Sequence, residues 1–222
     1  MHMIAEEIKK IHSILPAGVE LCAVSKFHSA EAVKEAYDAG QRIFGESRVQ
    51  ELLEKIKVLP DDIKWHFIGH LQTNKVRQLI GRTSLIESVD SLRLLDLIDK
   101  ESERAGVITN VLMQLHVARE ETKFGFYPEE LLEYFSSRGF ENLKATHICG
   151  VMGMASNTDD IRRVRADFHT IYETKEHISD IVPDLRGFDI VSMGMSGDWQ
   201  IAVEEGANLV RIGTAIFGLR SY

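Results

Sequence analysis

The sequence has few cysteines, no excess of basic residues and no long hydrophobic segment. Its two cysteines, Cys22 and Cys149, each lie in a hydrophobic run, which is typical of buried thiols in a reduced compartment rather than of a disulfide framework. The formal net charge is −8, which argues against nucleic acid or an anionic membrane as a partner, because both need a clustered basic surface. No segment approaches the roughly 20 apolar residues of a membrane span. The acidic N-terminal segment also lacks the apolar core of a signal peptide. We therefore expect a cytoplasmic protein.

Several familiar motifs are also missing. The chain contains no G-x-G-x-x-G, P-loop or G-x-S-x-G pattern in a suitable context, so neither a dinucleotide site nor a hydrolase nucleophile is predicted. His66 and His70 are four residues apart, but they bracket a predicted strand and the turn at Gly69, so they would not share a helical face as zinc ligands do. We expect no metal site there. Without a linker, low-complexity tract or repeat, residues 1–222 are predicted to form one domain.

What the chain does contain is a regular alternation of two hydrophobic patterns. It opens with an amphipathic helix carrying Ile4, Ile8, Ile11 and Leu15,. Short apolar segments then alternate with helical patterns, which predicts a parallel sheet. Eight such units fit a closed barrel better than an open sheet. The predicted fold is α/β, a single (β/α)8 TIM-type barrel with an extra N-terminal helix. Its predicted strands cover residues 20–25, 42–44, 65–68, 84–87, 107–117, 143–148, 188–191 and 208–212.

Polar residues before several helical patterns predict where the helices begin. Ser29 and Ser91 are expected to be N-caps, because a side-chain oxygen there accepts a hydrogen bond from the first helical turn. Thr158 is expected to cap the helix whose first turn holds Asp159 and Asp160, where negative charge is favourable.

In such a barrel the functional site lies at the C-terminal ends of the strands, and phosphate is often held by the loops after strands 7 and 8. Both loops are rich in glycine and hydroxyl residues, at 192–198 and at 213–214. Glycine lets backbone N–H groups approach an anion closely, and hydroxyls add donors. The alternative is that both loops are ordinary turns, in which the same residues are common.

Two basic residues end predicted strands at the same mouth. Lys26 follows strand 1, where partial desolvation would lower the pKa of its amine and make it a nucleophile toward a carbonyl. Together with a phosphate site, this predicts a phosphorylated aldehyde as the ligand. The alternative is that Lys26 is an ordinary surface lysine just past a strand. Arg211 ends strand 8, where an inward-facing cation needs a partner. That partner could be the ligand or, alternatively, a neighbouring carboxylate in an ion pair.

The motifs at these positions resemble those of the pyridoxal phosphate homeostasis protein family. The matching segments run along nearly the whole chain: residues 23–26, 44–46, 49–51, 65–69, 71–72, 74–75, 192–196 and 211–218. The family is in turn similar to the barrel domain of alanine racemase-like, fold-type III enzymes that use pyridoxal 5′-phosphate (PLP). The resemblance implies that PLP is the cofactor. One residue departs from the family pattern, because Ser47 stands where the family usually has Asn.

The same resemblance implies the site residues. Lys26 would carry PLP as a Schiff base. Ser192, Gly213 and Thr214 would bind its phosphate, with Gly194 and Ser196 nearby. Arg211 would face the pyridine nitrogen, keep it unprotonated and so limit carbanion chemistry.

The implied function is intracellular vitamin B6 homeostasis, as a carrier or regulator of PLP without established turnover. PLP-dependent apo-enzymes are the possible partners, and a monomer is expected.

One alternative is a racemase or decarboxylase of the same lineage. A racemase needs a second acid/base opposite Lys26, and we expect no room for the extra domain that supplies it, since the chain ends at Tyr222 just past the barrel. The other alternative is a phosphosugar aldolase of barrel fold. Lys75 and Lys123 are candidates for secondary PLP-reactive amines.

Overall fold

The computed structural model describes residues 3–120 and 124–218. The predictions for Lys123 and Tyr222 therefore fall outside the described residues. Within those residues, no helix is both long enough and apolar enough to cross a membrane.

Eight parallel strands close into a barrel in sequence order, and the last strand pairs with the first. This confirms the predicted (β/α)8 fold, because consecutive parallel strands joined by helical crossovers are the defining feature of that barrel. The strands are β1 Glu20–Val24, β2 Ile43–Glu46, β3 Lys64–Phe67, β4 Leu85–Val89, β5 Thr109–Leu115, β6 Thr146–Gly153, β7 Ile190–Ser192 and β8 Leu209–Ile212.

The predicted bounds of strand 6 were wrong. We predicted residues 143–148, whereas β6 begins three residues later and ends five residues later. The cause is Gly150, which the hydrophobic pattern treats as a stop but which has a φ of 149° inside the strand. A Cβ there would collide with the carbonyl oxygen of Ile190, and the pairing with β5 shifts register at this point. A glycine at such an irregularity continues the strand rather than ending it.

The helices surround the barrel, and the extra N-terminal helix is confirmed. Its buried face, Ile4, Ile8 and Ile11, lies against the helices that follow β1 and β8. The helices of the described residues are α1 Ile4–Ile14, α2 Ala30–Asp38, α3 Val49–Ile56, α4 Val76–Leu79, α5 Leu92–Ala105, α6 Pro128–Ser136, α7 Ile161–Ile181, α8 Trp199–Glu204 and α9 Thr214–Phe217.

Two of the three predicted helix caps are confirmed. Ser29 and Ser91 accept hydrogen bonds from the third residue of α2 and of α5. The prediction for α7 was wrong, because its N-cap is Asp160, which accepts from the N–H groups of the second and third helical residues. Thr158 instead accepts a hydrogen bond from the Asp160 N–H at 3.2 Å. Aspartate ranks above threonine as an N-cap, so the local preference already favoured Asp160, which the prediction had placed inside the first turn.

The hydrophobic core has two parts. The larger lies between the strands and the helices, and the smaller is a cluster of inward side chains drawn from neighbouring strands. Cys22 and Cys149, both free thiols, belong to the smaller cluster, as expected for buried cysteines. Side chains two residues apart in a strand share a face. Leu85 on β4 and Leu209 on β8 belong to the smaller cluster. The next inward residues on these strands are therefore Glu87 and Arg211, so the interior becomes polar toward the C-terminal mouth.

Candidate functional site

A cavity of about 200 Å³ opens at the C-terminal mouth of the barrel. Five of the seven predicted site residues line it: Lys26, Ser196, Arg211, Gly213 and Thr214. The other lining residues are largely apolar, so the cavity combines apolar walls with a few polar groups, as small-molecule sites usually do. They are Val24, His28, Ile68, Met152, Met154 and Met195.

Lys26 lies in a tight turn directly after β1. The turn is closed by a hydrogen bond from the His28 N–H to the Ser25 carbonyl oxygen at 3.1 Å. Phe27, the third residue of this turn, has a φ of 67°, which only glycine adopts without a steric penalty. The turn places the half-buried Lys26 on the cavity wall, as predicted from its position at a strand end.

Gly194 shapes the loop after β7 without lining the cavity. Its φ is 90°, and a Cβ would lie 2.6 Å from the Cβ of Ala202 and 2.9 Å from the Cα of Trp199. Its carbonyl oxygen accepts a hydrogen bond from the Arg211 N–H at 3.0 Å. The glycine therefore lets this loop pack against both α8 and β8, which fixes the path of Met195 and Ser196.

The loops after β7 and β8 meet at Ser196. Its hydroxyl oxygen accepts hydrogen bonds from the Gly213 N–H at 3.2 Å and from the Ala215 N–H at 3.4 Å. Thr214 lies between these two donors and is exposed. Two converging N–H groups and two hydroxyls make a small set of donors suited to an anion.

Arg211 and Ser192 belong to a buried network under the cavity. The Arg211 guanidinium donates to the Ser192 hydroxyl at 2.5 Å and to the Gly153 carbonyl oxygen at 2.9 Å. Its Nη1 also lies 3.6 Å from a carboxylate oxygen of Glu87. The structure therefore contains the ion pair with a carboxylate that was the alternative for Arg211 in the sequence analysis. Arg211 also lines the cavity wall. Ser192 is fully buried and donates to Glu87 at 2.6 Å, so its hydroxyl lies one layer below the cavity.

Sequence reasoning missed Glu87, which joins this network. Burial by itself would raise the pKa of its carboxyl, but the hydrogen bonds and charges of His66, Arg211 and Ser192 outweigh burial and hold that pKa below its usual value,. His66 Nδ1 lies 2.7 Å from a Glu87 oxygen. The available signal was an acidic residue inside an apolar strand, since a buried carboxylate needs partners.

The histidine pair considered from the sequence does not come together as a unit. His66 faces the barrel interior, where it forms with Cys22 and Glu87 a group of possible ligand atoms within 4.8 Å of one another. Burial, followed by the charge of Glu87, raises the pKa of the Cys22 thiol well above its ordinary value, and a protonated thiol is a poor metal ligand. We assign this group to the network that holds Arg211. His70 lies elsewhere, 2.8 Å from Asp90.

A neighbouring cavity of about 450 Å³ lies between the loops after β2 and β3. Ser47 and Lys75 line this second cavity, and neither lines the cavity at Lys26. The position where the family usually has Asn therefore faces a different space from the amine of Lys26.

Comparison with known proteins first defines the class. The model of the alanine racemase N-terminal domain family matches residues 1–221. An alanine racemase of Clostridium difficile superposes with a TM-score of 0.78 at 15% identity, over 96% of this chain and 56% of that chain. At that identity the likeness concerns the fold. The chain is thus built on the alanine racemase type of barrel.

Curated relatives then define the family. A pyridoxal phosphate homeostasis protein of Aquifex aeolicus is 38% identical over 91% of this chain and 88% of its own length. One of Haemophilus influenzae is 37% identical over 92% and 86%. The structure of PipY of Synechococcus elongatus with PLP bound is 36% identical, with a TM-score of 0.88, over 97% of this chain and 100% of that chain. The chain belongs to the pyridoxal phosphate homeostasis protein family, as the sequence motifs indicated.

Proposed function

We propose that this protein binds PLP covalently through Lys26 and takes part in intracellular PLP homeostasis as a carrier or regulator, without turning over a substrate. The observation that carries the proposal is the shared cavity, in which an amine on the β1 side faces the donor loops after β7 and β8. The PLP-bound structure of PipY supports the same ligand class.

The donors around Ser196 fit the phosphate of PLP. Gly213 has no side chain, which lets its backbone approach a ligand closely, and a Cβ there would lie 3.1 Å from the Val24 carbonyl oxygen. The N–H groups of Gly213 and Ala215 already converge on one oxygen, that of Ser196. A phosphate oxygen would accept from the same N–H groups, with Thr214 adding a hydroxyl.

The remaining walls fit the pyridine ring. Ile68, Met152 and Met154 supply apolar surface, and thioethers adapt to a planar aromatic ligand. Arg211 would face the ring nitrogen. Its guanidinium offers only N–H donors and no acceptor, and it is held in place by Ser192 and Glu87. Such a group can donate a hydrogen bond to the ring nitrogen but cannot accept one from it, so it would keep the ring nitrogen unprotonated and the bound cofactor a weak electron sink. This supports the proposal that the protein is not a catalyst.

The covalent step is the condensation of an amine with an aldehyde. The Lys26 nitrogen forms a C=N bond with the aldehyde carbon, and the aldehyde oxygen leaves as water. The amine attacks in its neutral form, and Lys26 is the lysine among the residues that line the cavity. The Schiff base would therefore form at the half-buried Lys26.

The experiment that tests the proposal is borohydride trapping with peptide mapping. The wild-type protein mixed with PLP is expected to show a visible imine absorbance band and, after reduction, one stable adduct on the peptide containing Lys26. The Lys26→Ala variant should show neither, with a melting temperature within about 2 °C of wild type because the change lies in a turn outside the core. Lys75→Ala removes a lysine from the neighbouring cavity and should behave as wild type. A main adduct mapped to another lysine in place of Lys26, or an imine band that survives in Lys26→Ala, would overturn the assignment.

A further inference from the structure

A second buried network lies beside Lys26, on the outer side of the sheet. Lys55 of α3 is almost fully buried. Its ammonium group donates to the Ser25 carbonyl oxygen at 2.8 Å, to Glu46 at 2.6 Å and to Glu51 at 2.8 Å. An ammonium group has three protons to donate, and these three acceptors use all of them. Lys55 is therefore fully hydrogen-bonded and is not a second nucleophilic amine at this end of the barrel.

The network forms hydrogen bonds with the residues on both sides of Lys26. On the N-terminal side, Ser25 gives its carbonyl oxygen to Lys55 and its hydroxyl proton to Glu46 at 2.6 Å. On the C-terminal side, the Phe27 N–H donates to Glu51 at 2.6 Å. The Glu51 oxygen that accepts this bond is the same oxygen that accepts from Lys55.

One of the residues held by these hydrogen bonds, Phe27, has a strained backbone conformation. Phe27 has a φ of 67°, which costs free energy for a residue with a side chain and persists only where the surroundings impose it. Glu51 binds the Phe27 N–H, and the Arg48 guanidinium lies 4.5 Å from the centre of the Phe27 ring. Contacts from α3 and the residue before it therefore stabilise the turn that directs Lys26 toward the cavity.

Because the network is buried, each of its charged groups depends on the others for hydrogen-bond partners. Glu46 is fully buried, and this burial raises the pKa of its carboxyl even though Lys55 and Ser25 stabilise the charged form,. Charged groups held this deeply are tolerated only when paired and hydrogen-bonded. The helix α3 also packs on the core through Val49 and Leu52, so its attachment to the barrel does not rest on the buried charges alone.

We propose that Glu51 and Lys55 are positioning residues for the covalent reaction, fixing the Ser25–Phe27 backbone so that the Lys26 amine faces the cavity at the distance a Schiff base needs. This inference rests on the proposed function of Lys26. It separates two parts of ligand binding. The phosphate and ring contacts lie on the loops after β7 and β8 and on the inner walls, whereas placement of the amine depends on α3.

The test compares PLP with pyridoxine 5′-phosphate, which carries the same ring and phosphate but no aldehyde. In Glu51→Ala, affinity for PLP is expected to fall on the order of tenfold, the equivalent of about 1.4 kcal/mol, with slower imine formation. Affinity for pyridoxine 5′-phosphate should stay within about twofold of wild type. Glu51→Gln keeps an oxygen that can accept from the Phe27 N–H and should recover most of the PLP affinity. Glu54→Ala removes the same charge from an exposed position of the same helix and should match wild type.

The possible results distinguish a failure of the proposed function from a failure of the positioning role. If wild-type protein forms no trapped adduct on Lys26, the proposed function fails, whatever the variants do. If wild type forms the adduct and Glu51→Ala binds PLP as well as wild type does, the positioning role fails and the proposed function stands. Equal losses of affinity for both ligands would show a general structural effect and would also overturn the positioning role. Melting temperatures measured without ligand identify any variant that does not fold.

Discussion

Thr214 is the exposed hydroxyl among the donors at the phosphate end of the cavity. Thr214→Val keeps the shape of the side chain and removes its proton donor. Because a hydrogen bond to a charged group contributes about 1.5–3 kcal/mol, affinity for PLP is expected to fall on the order of tenfold or more, as measured by equilibrium titration of absorbance. Thr214→Ser retains the hydroxyl and should stay near wild type. Equal affinity in Thr214→Val and wild type would place the phosphate elsewhere.

Glu87 predicts a specific pH dependence of stability. Its pKa is lowered in the folded protein, so its ionised form stabilises the fold above the unfolded value of about 4.3. That contribution is lost as the pH falls through the lower folded pKa. Glu87→Gln should be less stable than wild type near neutral pH by about 3–5 kcal/mol, because it leaves Arg211 buried without its counter-ion.

Urea unfolding from pH 3 to 7 measures this effect. The difference between wild type and Glu87→Gln is expected to shrink as the pH falls below about 4.3. Glu54→Gln, at an exposed position, should follow the wild-type curve. A difference that stays constant across the acid range would contradict the assignment of a lowered pKa to Glu87.

At the scale of elements, the loop after β7 offers a matched pair of glycines. Gly194 has a φ of 90°, and a Cβ there would collide with α8. Gly197, three residues later, is exposed, and a Cβ at that position would point into open space. Gly194→Ala is expected to lower the free energy of unfolding by roughly 2–4 kcal/mol, from backbone strain and overpacking, and to weaken PLP binding by displacing Ser196.

The control for that experiment lies in the same loop. Gly197→Ala should change the free energy of unfolding by about 0.5 kcal/mol or less and leave PLP binding intact. Chemical denaturation and PLP titration of both variants give the comparison. If both variants were neutral, the close approach of the loop to α8 would not constrain the site.

For the whole molecule we expect a monomer, with and without PLP. Lys26 and the donor loops after β7 and β8 already line one cavity among the described residues. Size-exclusion chromatography with light scattering should give a mass near 25.1 kDa. A mass of twice that value, with PLP binding lost on dilution to monomer, would contradict this expectation.

Much of the fold was available from the sequence. The alternation of apolar segments with helical patterns predicted all eight strands and the N-terminal helix, because a buried parallel strand and an amphipathic helix each leave a local signature. The same reasoning placed Lys26, Ser196, Arg211, Gly213 and Thr214 at one mouth, and the structure brings them together around one cavity. The end of β6 was missed because Gly150 interrupts the pattern but not the strand.

The sequence by itself therefore determined the barrel and which loops meet at its C-terminal end. Only the tertiary structure decided the partners of the buried charges. Glu87 reaches Ser192 across 105 positions of sequence, and Lys55 reaches the Ser25 carbonyl across 30. Such contacts depend on strand register and on closure of the barrel. These arise from the packing of the whole chain and leave no periodic trace in the residues themselves.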